Sequence, residues 1–140
     1  GKVHTDVPYL KYLSSCLPAN ASWEIVDQSL DSNQQRAIFG MCDLCIASRY
    51  HPQIFSGSSA VPGVCIYYEH KALGFMKFMG LEEFAFDIRN LNTSQMIEKI
   101  DYAIENSSEL KNKMKNRIGA IINKSATTTD LLLELMNKNK

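Results

Sequence analysis

No stretch of this chain approaches the roughly 18 consecutive apolar residues that a membrane-spanning helix needs. The opening GKVHTDVPY also lacks the apolar core of a secretory signal, so a cytoplasmic protein without a membrane span is expected. An excess of charge of either sign is missing too. Fifteen basic residues balance fifteen acidic ones, which leaves nothing to recruit nucleic acid or an anionic membrane. The seven glycines fall into neither a G-x-G-x-x-G turn nor a P-loop, so the usual nicotinamide, flavin and nucleoside-triphosphate fingerprints are excluded. Internal repeats, low-complexity tracts and obvious linkers are absent, and only the terminal NKNK reads as a frayed end.

What is present is an ordinary globular composition, 45% hydrophobic and 21% charged over 140 residues, enough for one core and one domain. Of the four cysteines, Cys42 and Cys45 form a C-x-x-C. It brackets the start of an apolar strand rather than opening a helix, and no matching second pair of zinc ligands exists, so buried thiols are expected, with neither metal nor cofactor. The N-x-[ST] triplets at Asn20, Asn92, Asn106 and Asn123 read as turn and helix-cap residues.

The order of elements carries the fold. PYLKYLSSCL spaces Leu10, Leu13 and Leu17 as a helix ending before Pro18, and WEIVDQS at residues 23–29 has the pattern of a short strand. Ser32 and Gln35 suit a capping box, with Gly40 as the stop. Residues 42–47 form an apolar strand, followed by a helix starting near Pro52. Val61-Pro62-Gly63 is a turn signal, residues 64–67 are a second strand, and KALGFMKFMG is a helix from Lys71 to Gly80. Residues 84–86 are a weaker strand, and two helical apolar stripes follow, from Met96 to Ile104 and from Leu110 to Ile122, before a last helix containing DLLLELM. Short apolar strands alternating with helices specify a Rossmann-like α/β fold, a parallel sheet with helices on both faces.

Ligands of open parallel sheets bind beyond the carboxyl ends of the strands. Ser48-Arg49-Tyr50-His51 occupies one such end: a helix amino terminus and the Arg49 fork suit an anion, and His51 can donate to it or move a proton. Tyr68-Glu69-His70-Lys71 occupies the next, so Arg49, His51 and Lys71 are expected on one rim. A plain alternative, with Arg49 paired to a carboxylate, His51 capping its helix and Lys71 solvated, is equally compatible with the spacing.

Residues 43–87 resemble the carboxy-terminal part of the polysaccharide pyruvyl transferase family. The likeness rests on Asp43 before an apolar strand, Arg49-Tyr50-His51, Phe55, Val61-Pro62, the strand at 64–67, Lys71, Gly74-Phe75-Met76, Gly80-Leu81 and Asp87. Where that family often has leucine this chain has Tyr50, whose side chain is expected to point away from Arg49 and His51. The resemblance implies one Rossmann-like half, residues 1–140, of a two-domain enzyme of glycosyltransferase-B-like architecture, incomplete and inactive without its amino-terminal domain. It implies transfer of pyruvate from phosphoenolpyruvate to two hydroxyls of a polysaccharide or lipid-linked sugar acceptor, as a ketal. Arg49 and His51 would then be the catalytic pair, with Ser48, Tyr68 and Lys71 joining them in holding substrate. An apolar surface left by the absent half offers a homodimer contact. The rival functions are a glycosyltransferase domain that binds a nucleotide-sugar diphosphate, a non-catalytic binding module, and a redox role for Cys42 and Cys45.

Overall fold

The computed structural model describes residues 6–26 and 28–138, which divide into two compact units, Gly1–Asp31 and Ser32–Lys140. In the first, helix α1 (Val7–Ser15) carries Pro8 in its first turn and ends before Pro18, as its sequence predicts. The strand expected at residues 23–29 is not formed. Residues 23–26 have no ladder partner, Trp23 and Val26 are about half exposed, and residue 27 lies outside those described. An apolar run becomes a strand only where a neighbour accepts its hydrogen bonds.

The second unit begins with α2 (Ser32–Gly40). Then come β1 (Cys45–Ala47), α3 (Tyr50–Ser58), β2 (Gly63–Tyr67), α4 (His70–Met79), β3 (Ala85–Asp87), α5 (Thr93–Glu105) and α6 (Ser107–Lys138), with single 3-10 turns flanking β3. The three strands lie in the order β1-β2-β3, all parallel, with Ile46 opposite Val64 and Ile66 opposite Phe86. Helices flank this sheet in a Rossmann-like α/β arrangement. Val64 and Cys65 of the central strand pack with Met76 and Met79 of α4, Phe84, and Leu110 and Met114 of α6 in one core.

Several local details depart from the sequence pattern. The turn before β2 falls at Ala60, a non-glycine at φ 55°, and not at Val61-Pro62-Gly63. Gly63 instead opens β2, where a Cβ would stand 2.8 Å from the Cys45 carbonyl oxygen, so its smallness serves strand approach and not turn freedom. Gly80, at φ 69°, does end α4 as expected, with the Leu81 amide donating to the Met76 carbonyl at 2.8 Å. Asn92 caps α5 by accepting from the Gln95 amide, and Asn106 at its end donates to the Tyr102 carbonyl, whereas Asn123 lies within α6. DLLLELM forms no separate helix but the distal part of α6, which also takes in Asn137 and Lys138 of the terminal NKNK. Among the described residues no helix is long and apolar enough to cross a membrane.

Two glycines give a test of opposite sign. Gly63→Ala drives a Cβ into strand backbone and is expected to lower stability by about 2 kcal/mol or more. Gly74 sits inside α4 with nothing within 4 Å of a built Cβ, so Gly74→Ala is expected to raise stability by about 0.5–1 kcal/mol. Urea midpoints of the two variants check both signs.

Candidate functional site

Strands β1 and β2 are neighbours and parallel, so their carboxyl ends open side by side and each runs into a helix after two residues. Ser48 and Arg49 join β1 to α3, and Tyr68 and Glu69 join β2 to α4. Arg49 and Glu69 stand in equivalent cap positions with extended backbones, φ −110° and −128°, and neither side chain caps its helix. The first turns of two helices thus lie at one end of the sheet; in α3 Pro52 has no amide hydrogen to offer, and in α4 the Ala72 amide donates to the Glu69 carbonyl. Pro52 sits in the first turn of α3, which starts at Tyr50, two residues earlier than its sequence suggests.

Between these helix ends lies a cleft of about 130 Å³. Ser48, Arg49, His51, Tyr68 and Lys71, the five residues singled out from sequence, all line it, together with Tyr50, Glu69 and Ala72. Tyr50 is a correction: its ring lines the cleft beside His51, with centroids 6.1 Å apart, instead of pointing away. Strand alternation does not apply there, because Tyr50 and His51 already belong to α3. Phe75 meets the Tyr50 ring edge-on at 6.2 Å, and Phe55 lies 6.4 Å from His51, so aromatic contacts back both side chains.

The Lys71 ammonium lies 2.8 Å from the Glu69 carboxylate and 5.8 Å from the Tyr50 ring centroid. The hydrogen bond to Glu69, reinforced by its charge, moves the Lys71 pKa upward and keeps the ammonium protonated. Glu69 is the charged residue of the cleft not singled out from sequence; its place two residues before Lys71, at a strand end, was the available signal. Formally, Arg49 and Lys71 against Glu69 leave the cleft one positive charge.

Behind the cleft, buried Gln53 ties α3 to both strands, its Nε2 donating to the Ala47 carbonyl at 3.4 Å and lying 2.7 Å from Cys65 Sγ. Of the C-x-x-C, Cys45 is buried but Cys42 only half-buried, because Cys42 precedes the strand and turns its thiol to the Ile38 carbonyl. Burial pushes the Cys45 thiol up, and the Cys65 thiol to about 11.

At the end of β3, Asp87 accepts from Arg89 Nε and from the Arg89 amide, both at 2.9 Å, and pairs with Nη2 at 2.5 Å. These bonds hold its carboxyl at about 2, below the ordinary 3.8, with His70 adding a smaller effect.

The chain is similar to the amylovoran biosynthesis protein AmsJ of Erwinia amylovora, 36% identical over 77 residues. The match takes in 55% of this chain and spans 19% of that protein's length. Over that stretch the likeness is to a protein of polysaccharide biosynthesis. No family model matches the chain, and no solved structure does.

A depressed carboxyl stabilises the fold above its unfolded value, and that stabilisation disappears as pH falls through its folded value. The Asp87 carboxyl is therefore expected to titrate at about 2 by carbon-detected NMR, and Arg89→Ala should return it toward 3.8. Maleimide labelling at about pH 8 is expected to modify exposed Cys16 in the folded chain and to reach Cys45 and Cys65 only after unfolding.

Proposed function

We propose that residues 32–138 form the donor-binding part of a polysaccharide pyruvyl transferase, one half of a longer two-domain enzyme that takes phosphoenolpyruvate as donor. The observation that carries this reading is the gathering of Arg49, His51, Lys71, Ser48 and Tyr68 on one cleft between two helix amino termini. The similarity to a protein of polysaccharide biosynthesis supports it from a separate direction. Phosphoenolpyruvate presents a phosphate and a carboxylate on one small frame. Arg49 offers a planar fork that matches either, Lys71 a point charge, and the helix amides fixed partial charges.

In the proposed reaction an acid protonates the methylene carbon of the donor, and positive character develops at its central carbon. A sugar hydroxyl attacks that carbon, the bond to the phosphate oxygen breaks, and inorganic phosphate leaves. A second hydroxyl closes the ketal. Of the two hydroxyl protons, one replaces the proton that the acid gave to carbon and the other leaves with phosphate. His51, exposed and braced by Tyr50 and Phe55, is the residue of this cleft suited to giving and recovering a proton near neutral pH. Ser48 and Tyr68 add hydroxyl donors for the anionic oxygens, and Glu69 releases Lys71 to the donor as it binds. The acceptor enters from the other half of the enzyme, so this chain alone binds donor without turnover.

Titration of phosphoenolpyruvate into the isotope-labelled chain is expected to shift backbone amides of residues 48–55 and 68–72. Arg49→Ala should weaken that binding about tenfold or more, the effect of losing a charge-assisted bidentate contact. Shifts produced by a nucleoside diphosphate alone would transfer the cleft to a glycosyltransferase. Shifts from neither ligand would contradict the proposal.

A further inference from the structure

The last helix presents an apolar face that its own domain does not cover. Leu110 and Met114 anchor α6 in the core and Ile118 and Ile121 pack partly against it, but every described side chain from Ile122 onward is exposed. Leu131, Leu132, Leu133, Leu135 and Met136 are each more than half exposed. This stretch follows ATTTD, whose threonines and aspartate are weak helix formers, and an isolated helix of such composition is marginal in water. A partner against the leucines supplies what propensity does not.

The same domain carries a surface of matching character. Beside the anchored part of α6 is an apolar groove of about 360 Å³, lined by Ile54 of α3, Phe78 of α4 and Ile118, Ile121 and Ile122 of α6. Basic residues edge this groove and the adjoining hollow along α6: Arg36, Arg117 and Lys124. The leucine segment carries acidic residues, Asp130 and Glu134. Apolar face and acidic flanks on one element thus complement apolar groove and basic flanks on another part of the same chain.

We infer that the occupant of this groove is the distal part of α6 from a second copy, the two helices running antiparallel. Ile118 and Ile121 are three residues apart, and so are Leu132 and Leu135. An alignment that sets Leu132 of the second copy against Ile121 therefore sets Leu135 of the second copy against Ile118. It also brings Asp130 of the second copy beside Lys124. Ser125 and Ala126, near the crossing point, are small enough for close approach. Two-fold symmetry repeats every contact, so each pairing counts twice. The inference is independent of what binds in the cleft at the strand ends.

Sedimentation equilibrium on the 140-residue chain is expected to show a reversible dimer. Leu132→Asp combined with Leu135→Asp should yield monomer while the folded α/β part keeps its near-ultraviolet circular dichroism. Lys124→Glu should weaken dimerisation about two- to fivefold, as the loss of exposed opposite-charge pairs does, and addition of Asp130→Lys should restore it. Monomer at every concentration, or a dimer unmoved by the leucine substitutions, would overturn the inference. So would a charge reversal that the second substitution fails to rescue, or capture of the leucine face by the remaining part of a longer enzyme in place of a second copy.

Discussion

Everything at the candidate site depends on the close parallel pairing of β1 with β2. The approach at the Cys45–Gly63 pair leaves no room for a Cβ on the second strand, and the register that follows sets Ala47 opposite Cys65. Because the strands are parallel and adjacent, their two following helices start at the same end of the sheet. The cleft is a consequence of that arrangement. A shift of register would move Arg49 and His51 away from Lys71 and separate two helix ends that now act on one volume. Gln53 strengthens the coupling from behind, since its amide reaches β1 and lies against β2 from the first part of α3.

The cleft is built for charge without being strongly basic. Glu69 holds Lys71, and the ring of Tyr50 lies beneath the same ammonium, so the cation is positioned before any ligand arrives. Arg49 stands at the start of the other helix, and His51 lies beside the Tyr50 and Phe55 rings. The proposed donor carries a phosphate and a carboxylate, one for each of these cations.

Much of this was legible in the sequence, for identifiable reasons. The core strands announce themselves as short apolar runs, and the cleft residues stand at their carboxyl ends, where any parallel sheet presents its ligand-binding loops. What sequence missed was tertiary. Residues 23–26 have strand composition but no partner to pair with, and Gly63 looks like a turn residue until the Cys45 carbonyl is placed beside it. Tyr50 was assigned the wrong direction because the helix starts two residues before Pro52, which replaces strand alternation with helical rotation. The leucines of DLLLELM read as part of a last helix, and their exposure marks them as a surface.

The most direct test of the central claim is a crystal structure of this chain with phosphoenolpyruvate bound. The account predicts donor density between the β1 and β2 ends, with the Arg49 guanidinium and the first-turn amides of α3 or α4 within hydrogen-bond distance of its phosphate or carboxylate oxygens. Donor bound elsewhere on the molecule, with the Arg49–Lys71 cleft holding only solvent, would contradict it.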